Sequence, residues 1–332
     1  VLGLAFLIGC VGMVTLTPAA NAAYNGPRNW LTCMFGKCPT TTTTAGPTTT
    51  TTASTTTTTE GPTTTVTPPT DGDCGTVPNP AGGTWHCTFD DEFDGTSLDR
   101  TRWVPQLSAP NSFDKTTECF VDTPDNIAVG GGVLTLTARK EAAPFDCNGL
   151  HQSQYTSGMI STNPNFVTPG FGQLNGRWEI RARFTGGATS TGTQESIWMW
   201  PVTKKGVWPY SGEIDIAEVY GLHPDRAIPY IHYDNGSDPQ RTNNYCLIDD
   251  ITKYHTYALD WTPQSLRVTY DGVVCIDDHW KPILPPYGRH PFDSPYFLIL
   301  TQALGVKPNA FDPASTVLPA STIVDYVRVW GS

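Results

Sequence analysis

The chain has 332 residues, room for one large β domain or two smaller ones. Its formal net charge is −11, and residues 1–73, with Arg28 and Lys37 against Glu60, Asp71 and Asp73, carry only −1 of it. Nucleic acid and anionic membrane surfaces call for Lys/Arg patches, so this acidic balance argues against both and is compatible with a neutral polysaccharide.

Residues 1–22 read as a secretory signal. An apolar run from Val1 to Leu16 is followed by Pro18 and by Ala20-Asn21-Ala22, a small-x-small cleavage pattern. No initiator Met or basic stretch precedes the run, so an N-terminal truncation is expected. The run is shorter than the roughly 20 apolar residues of a spanning helix, and no other candidate span follows. Leu7-Ile8-Gly9-Cys10 is an alternative lipoprotein box. Residues 23–38 hold Cys33 and Cys38 in a segment too small to fold alone. Residues 39–73 are a linker: Thr occupies 20 of the 31 positions from Thr40 to Thr70. Such a tract buries too little apolar surface to offset its ordering entropy, and Thr/Pro tracts of this kind read as O-glycosylated stalks.

Of the nine Cys, Cys10 falls in the signal and eight remain. An even number after a signal indicates disulfides in a secreted, extracellular protein, and eight Cys permit 105 connectivities. Sequential pairing is expected: Cys33–Cys38, Cys74–Cys87, Cys119–Cys147 and Cys246–Cys275. A zinc cluster is disfavoured, because no Cys-x-x-Cys or Cys/His ligand spacing is present.

From Cys74 to the end, residues 74–332 read as one all-β domain. Val133–Ala138, Trp178–Phe184, Ser265–Tyr270 and Val273–Ile276 alternate as half-buried strands. Asp271-Gly272 between the last two is a hairpin signal. Phe297-Leu298-Ile299-Leu300 is continuously apolar, as for a strand covered on both faces, and Val324–Trp330 is a final strand. No amphipathic helix of three turns is found. Many short strands with frequent turn signals mean a sandwich or barrel.

The densest chemistry lies in Gly-Glu-Ile-Asp-Ile-Ala-Glu, residues 212–218. Strand alternation puts Glu213 and Asp215 on one face and Ile214 and Ile216 on the other. It would put Glu218 with the isoleucines, unless a β-bulge at Ile216-Ala217 returns it to the acidic face. Crowded carboxylates titrate apart, so one can attack while another donates a proton. Retaining glycosidases use two such carboxyls, about 5–5.5 Å apart. An acidic solvent-facing strand is the plain alternative, against which stands the depletion of acidic residues in strands.

Aromatic side chains flank this stretch: Trp198, Trp200, Trp208 and Tyr210. Flat rings stack on the apolar C–H faces of sugars. Of Trp198 and Trp200, one is expected to face the core. Trp208, Trp198 and Tyr210 are candidate sugar platforms. His232 is placed to bond a sugar or a carboxylate, and Gln302 to face the cleft. Arg177, Arg181 and Arg183 are expected as ion-pair partners on the outer face.

Ser-Gly-Glu-Ile-Asp-Ile-Ala-Glu resembles the Glu-x-Asp-x-x-Glu signature of glycoside hydrolase family 16, in its laminarinase branch. Further matching pieces stand in the same order: residues 91–95, 137–141, 155–158, 175–183, 255–263, 291–300 and 324–330. The resemblance covers about residues 85–330. It departs where many laminarinases read Trp-Pro-Ala and this chain has Gln194-Glu195-Ser196, and where Ala217 replaces a frequent Met. The resemblance implies a jelly-roll β-sandwich of two curved antiparallel sheets with a concave substrate cleft. It implies a secreted endo-β-1,3-glucanase of actinobacterial type, monomeric and acting on β-glucan. Glu213 would be nucleophile, Glu218 acid/base, Asp215 the assisting residue, and Trp208 a platform beside the cleavage point. No cofactor is implied for catalysis; a structural Ca²⁺ held through Asp325 is. Mixed-linkage glucan, a galactan, or transglycosylation are the alternatives within the family. A non-catalytic glucan-binding jelly roll, or a cell-surface structural protein, is the alternative outside it.

Overall fold

The computed structural model describes residues 73–332, apart from 110–116, 187–190, 205, 234–240 and 280–290. The chain divides into two units, Val1–Thr65 and Val66–Ser332. Every described residue lies in the second. The expected signal, the linker and the Cys33–Cys38 pair fall outside the described residues.

Among the described residues the regular elements are all strands: β1 (Thr76–Pro78), β2 (Thr84–Asp91), β3 (Val104–Pro105), β4 (Cys119–Phe120), β5 (Ile127–Val129), β6 (Leu134–Asp146), β7 (Gln152–Ser157), β8 (Met159–Ser161), β9 (Gly176–Phe184), β10 (Thr193–Pro201), β11 (Glu213–Tyr220), β12 (Ile228–His232), β13 (His255–Trp261), β14 (Leu266–Tyr270), β15 (Val273–Asp278), β16 (Tyr296–Leu304) and β17 (Ala320–Gly331). One sheet runs β15-β14-β13-β9-β17-β6-β7-β4, with β2 also on β17, β1 on β2 and β5 on β6. The other runs β12-β11-β10-β16-β8-β3. All pairs are antiparallel except β4 with β7. This is the expected open jelly-roll sandwich.

Alternation builds the core. On β9, Trp178, Ile180, Ala182 and Phe184 are buried, and the charged residues between them are not. They meet Ile197, Met199, Ile214, Ile216, Val219, Leu298 and Leu300 of the other sheet in one cluster. At about 25 cal/mol per Å² of buried apolar surface, this inter-sheet layer is the main stabilising term. All nine positions of β16 are buried, so the continuous apolar run does mark a strand covered on both faces. Asp271 and Gly272 have φ of 47° and 79°, as a two-residue hairpin turn twisted to match its strands requires.

The outer charges pair as expected. Arg177 bonds Glu179 at 2.7 Å and Asp260 at 2.8 Å, and Arg181 bonds Asp325 at 2.5 Å. Arg183 differs: its guanidinium lies 5.3 Å over the Tyr254 ring. Three disulfides form with the expected pairing, Cys74–Cys87, Cys119–Cys147 and Cys246–Cys275. Each closes a loop and so restricts the unfolded chain.

Candidate active site

Glu213, Asp215 and Glu218 all stand on β11, the second strand of the smaller sheet. The expected bulge is present. On the β10 side, Ala217 faces Ile197 while Asp215 faces Trp198; on the β12 side, Asp215 faces Tyr230 while Glu218 faces Ile228. Ile216 and Ala217 thus take the place of one residue, and both are fully buried in the core. Their doubling puts Glu218 back on the face of Glu213 and Asp215. The three carboxylates line one pocket with Gln194, Ser196 and Trp198 of β10 and Thr301 of β16.

The backbone approach to Glu213 depends on Gly212, whose φ is +81°. A Cβ there would stand 2.1 Å from the Tyr296 hydroxyl and 3.1 Å from Pro291 and Phe292 carbons. The hydroxyl cannot swing away freely, because it donates to the carbonyls of Pro291 (2.9 Å) and Ser211 (3.2 Å) from a fully buried ring. Gly212→Ala is therefore expected to cost on the order of 2–4 kcal/mol, from left-handed strain plus overpacking. It should also lower kcat in the fraction that stays folded, because Glu213 is the next residue. Thermal melting and kcat below the transition measure the two effects; an unchanged Tm would refute the packing argument.

Each carboxylate has its own partners. The Trp208 indole N–H donates to Glu213 Oε2 at 2.6 Å. His232 Nε2 lies 3.0 Å from Asp215 Oδ2. Glu218 is held on both oxygens, accepting from Gln194 Nε2 at 2.8 Å and from the Tyr220 hydroxyl at 2.7 Å. The His232 ring is braced between Tyr230, stacked at 5.6 Å, and Trp208 at 5.5 Å.

Burial and the neighbouring Asp215 push the Glu213 carboxyl up to about 8, against the opposing pull of His232 and the Trp208 N–H. Burial, then the Glu218 charge, raise Asp215 well above the ordinary range. Two adjacent carboxyls in this state share a proton at neutral pH. The proton belongs on Asp215. That group is the more deeply buried, and an indole N–H can only donate, so it favours an ionised Glu213.

Residues 114–279 match the family model described as Glycosyl hydrolases family 16. A β-glucanase of Rhodothermus marinus is 32% identical over 266 residues, covering 74% of this chain and 85% of the relative. The chain belongs to family 16. A glucan endo-1,3-β-glucosidase of Cryptopygus antarcticus is 29% identical, over 75% of this chain and 93% of its own length. The X-ray structure of a laminarinase from Rhodothermus marinus superposes with a TM-score of 0.61 at 30% identity, covering 74% of this chain and 97% of that one.

Within this family 16 domain, the flanking candidates divide. Trp208, His232 and Trp198 gather at the carboxylates. Trp208 is 51% exposed, so its ring presents a free face. Trp198 lines the pocket and donates from Nε1 to Thr301 Oγ1 at 2.9 Å. The expectation that Trp198 and Trp200 face opposite ways is wrong. Residues two apart on a strand share a face, and the two rings meet edge-on at 6.3 Å, while Ile197 and Met199 point into the core. Tyr210 sits half-buried between β10 and β11 and is not among the pocket-lining residues.

Gln302 is also misplaced by the sequence reading. It is fully buried between the sheets, donating to Glu195 Oε1 at 2.9 Å and accepting from Thr322 of β17 at 3.1 Å. Parity with Leu298 and Leu300 puts it on the interior face; its neighbour Thr301 faces the pocket instead. Asp325, expected as a calcium ligand, bonds Arg181 through one carboxylate oxygen. It is the extra residue of a bulge in β17 opposite β9. Among the described residues no group of three or more His, Cys, Asp or Glu is set to hold a metal.

Gln194, Ser196, Tyr220 and Thr301 are site residues that sequence reasoning missed. Their signal was parity. Counting by two from Trp198 reaches Ser196 and Gln194, and counting by two from Glu218 reaches Tyr220. Gln194 is one of the positions at which the chain departs from the laminarinase pattern, and it here becomes a Glu218 partner.

Proposed function

We propose that the protein is a secreted, retaining endo-β-1,3-glucanase that cuts internal bonds of laminarin-type glucans. The observation that carries the reading is the bulged β11, which turns three carboxylates onto one face with a different partner set for each. The relatives' names supply the β-1,3-glucan; the disulfides fit an oxidising, extracellular compartment. No helix among the described residues is long and apolar enough to cross a membrane.

The chemistry takes two displacements at one carbon and no cofactor. Glu213 begins ionised, steadied by the Trp208 N–H, and its carboxylate attacks the anomeric carbon. The glycosidic C–O bond breaks as Glu218 passes its proton to the departing oxygen. The glycosyl ester on Glu213 is then opened by water, from which the Glu218 carboxylate takes a proton. Asp215, carrying its proton beside His232, keeps a second negative charge away from Glu213 during attack. Gln194 and Tyr220 hold Glu218 in one orientation through both of its roles.

A panel of laminarin, mixed-linkage β-1,3-1,4-glucan, agarose and carrageenan tests the substrate. Oligosaccharides are expected as early products from laminarin, with retained configuration at the new reducing end. Glucose as the sole early product, or action on the galactans alone, would overturn the assignment.

A further inference from the structure

A bulge leaves backbone groups without ladder partners, and here those groups are buried. The register on β12 sets Ile216 and Ala217 against one residue, Pro229, between Ile228 and Tyr230. Proline has no N–H to offer. The Ile216 carbonyl instead accepts from the Tyr270 hydroxyl at 2.9 Å. Tyr270 stands on β14, in the other sheet, and its side chain crosses the core to reach the bulge. It is 3% exposed, and its ring is steadied edge-on by Tyr257 at 5.0 Å. Burial pushes its phenol well above the ordinary range, so it remains a donor.

We propose that Tyr270 is the positioning residue for Glu218: its hydroxyl pins the carbonyl of the bulge that turns Glu218 onto the face of Glu213. The inference rests on the acid/base role read for Glu218 above. Glu213 and Asp215 precede the bulge and are aimed by regular alternation; only Glu218 and Tyr220 follow it. A loosened bulge therefore displaces the proton donor relative to the nucleophile, where an offset of about 1 Å is worth up to a hundredfold in rate.

The test separates the two carboxylates by leaving group. In kcat/KM, a natural glucan needs a proton from Glu218, whereas a 2,4-dinitrophenyl glycoside does not. Tyr270→Phe is expected to lower kcat/KM on glucan about ten- to a hundredfold and on the dinitrophenyl glycoside less than about threefold. Azide is expected to raise its kcat on the aryl substrate, since azide needs no base. Tyr257→Phe is the control: among the described residues the Tyr257 hydroxyl has no hydrogen-bond partner, so the ratio should stay at the wild-type value. Replacement of Tyr270 by p-aminophenylalanine keeps a weaker donor in place and is expected to give an intermediate ratio. That variant decides the matter if the Phe variant does not fold. Equal losses on both substrates, as from simple destabilisation, would overturn the proposal, as would an unmoved ratio. The ratio is taken with whichever β-glycan the wild-type enzyme cleaves. A wild type inactive on β-1,3-glucan would thus refute the substrate, while the ratio still decides the role of Tyr270.

Discussion

Glu218→Ala is expected to lower kcat/KM on β-1,3-glucan about a thousandfold or more and to spare glycosylation by an aryl glycoside with a good leaving group. The nucleophile and its Trp208 donor are untouched, so the activated substrate still forms the ester on Glu213. Water then lacks its base and the ester accumulates. Azide needs no base; it should restore turnover and give the β-glycosyl azide, the product of two inversions. Glu213→Ala is expected to be equally damaging on glucan, for a different reason. Azide entering the space left by the carboxylate would attack once and give the α-glycosyl azide. The anomeric configuration of each adduct, read by NMR, assigns the roles. Exchanged configurations would reverse the assignment, and inverted product from the wild type would refute the two-step mechanism. Asp215→Asn should cost less than either, since it changes the proton balance and not a bond-forming atom.

Glu213→Gln should abolish activity and make the protein more stable, increasingly so as the pH rises. In the pair it forms with Asp215, its carboxyl is pushed from 4.5 to about 8 on folding, through burial first and Asp215 second, and the proton so retained is the one the pair shares. The folded state then binds a proton that the unfolded state has released between these two values. Wild-type stability therefore falls as pH rises through that window. Below it, both carboxyls of the pair are protonated in either state, and the variant gains little. Above it, the variant is free of a buried charge. Each unit of pKa is about 1.36 kcal/mol, so the gain at pH 8 and above is on the order of a few kcal/mol. In a domain of this size that is a Tm difference of several degrees, at about 2–4 °C per kcal/mol. Melting of both proteins from pH 5 to pH 9 measures it. A difference that does not grow with pH would show that the Glu213–Asp215 pair does not keep a proton in the folded state. An active site less stable than its inert variant is a recurrent trade of function against stability.

The parts of this site legible in the sequence are those that a single strand determines. Which face a side chain takes follows from the period of two, so the acid face of β11, the inward isoleucines and even the need for a bulge before Glu218 follow from residues 212–218 alone. The same rule, applied consistently, places Trp198 with Trp200 and turns Gln302 inward beside Leu300. Both placements follow from alternation along a single strand. The turn at Asp271-Gly272 is legible through the positive φ that few residues accept, whereas eight cysteines by themselves leave 105 connectivities open.

What only the tertiary structure decided is which strand lies beside which, and in what register. Gln194 reaches Glu218 because β10 pairs with β11 so that Ser196 faces Glu218 and Gln194 faces Tyr220. His232 reaches Asp215 because β12 closes the other side of β11. Arg181 meets Asp325 because β9 pairs with β17, although the two residues are 144 apart in sequence. The Tyr270 hydroxyl meets the Ile216 carbonyl across the core, between residues 54 apart. Local sequence carries the face of a side chain, because backbone sterics fix alternation residue by residue. It does not carry the partner, because pairing between distant strands is chosen by the packing of two whole sheets on each other.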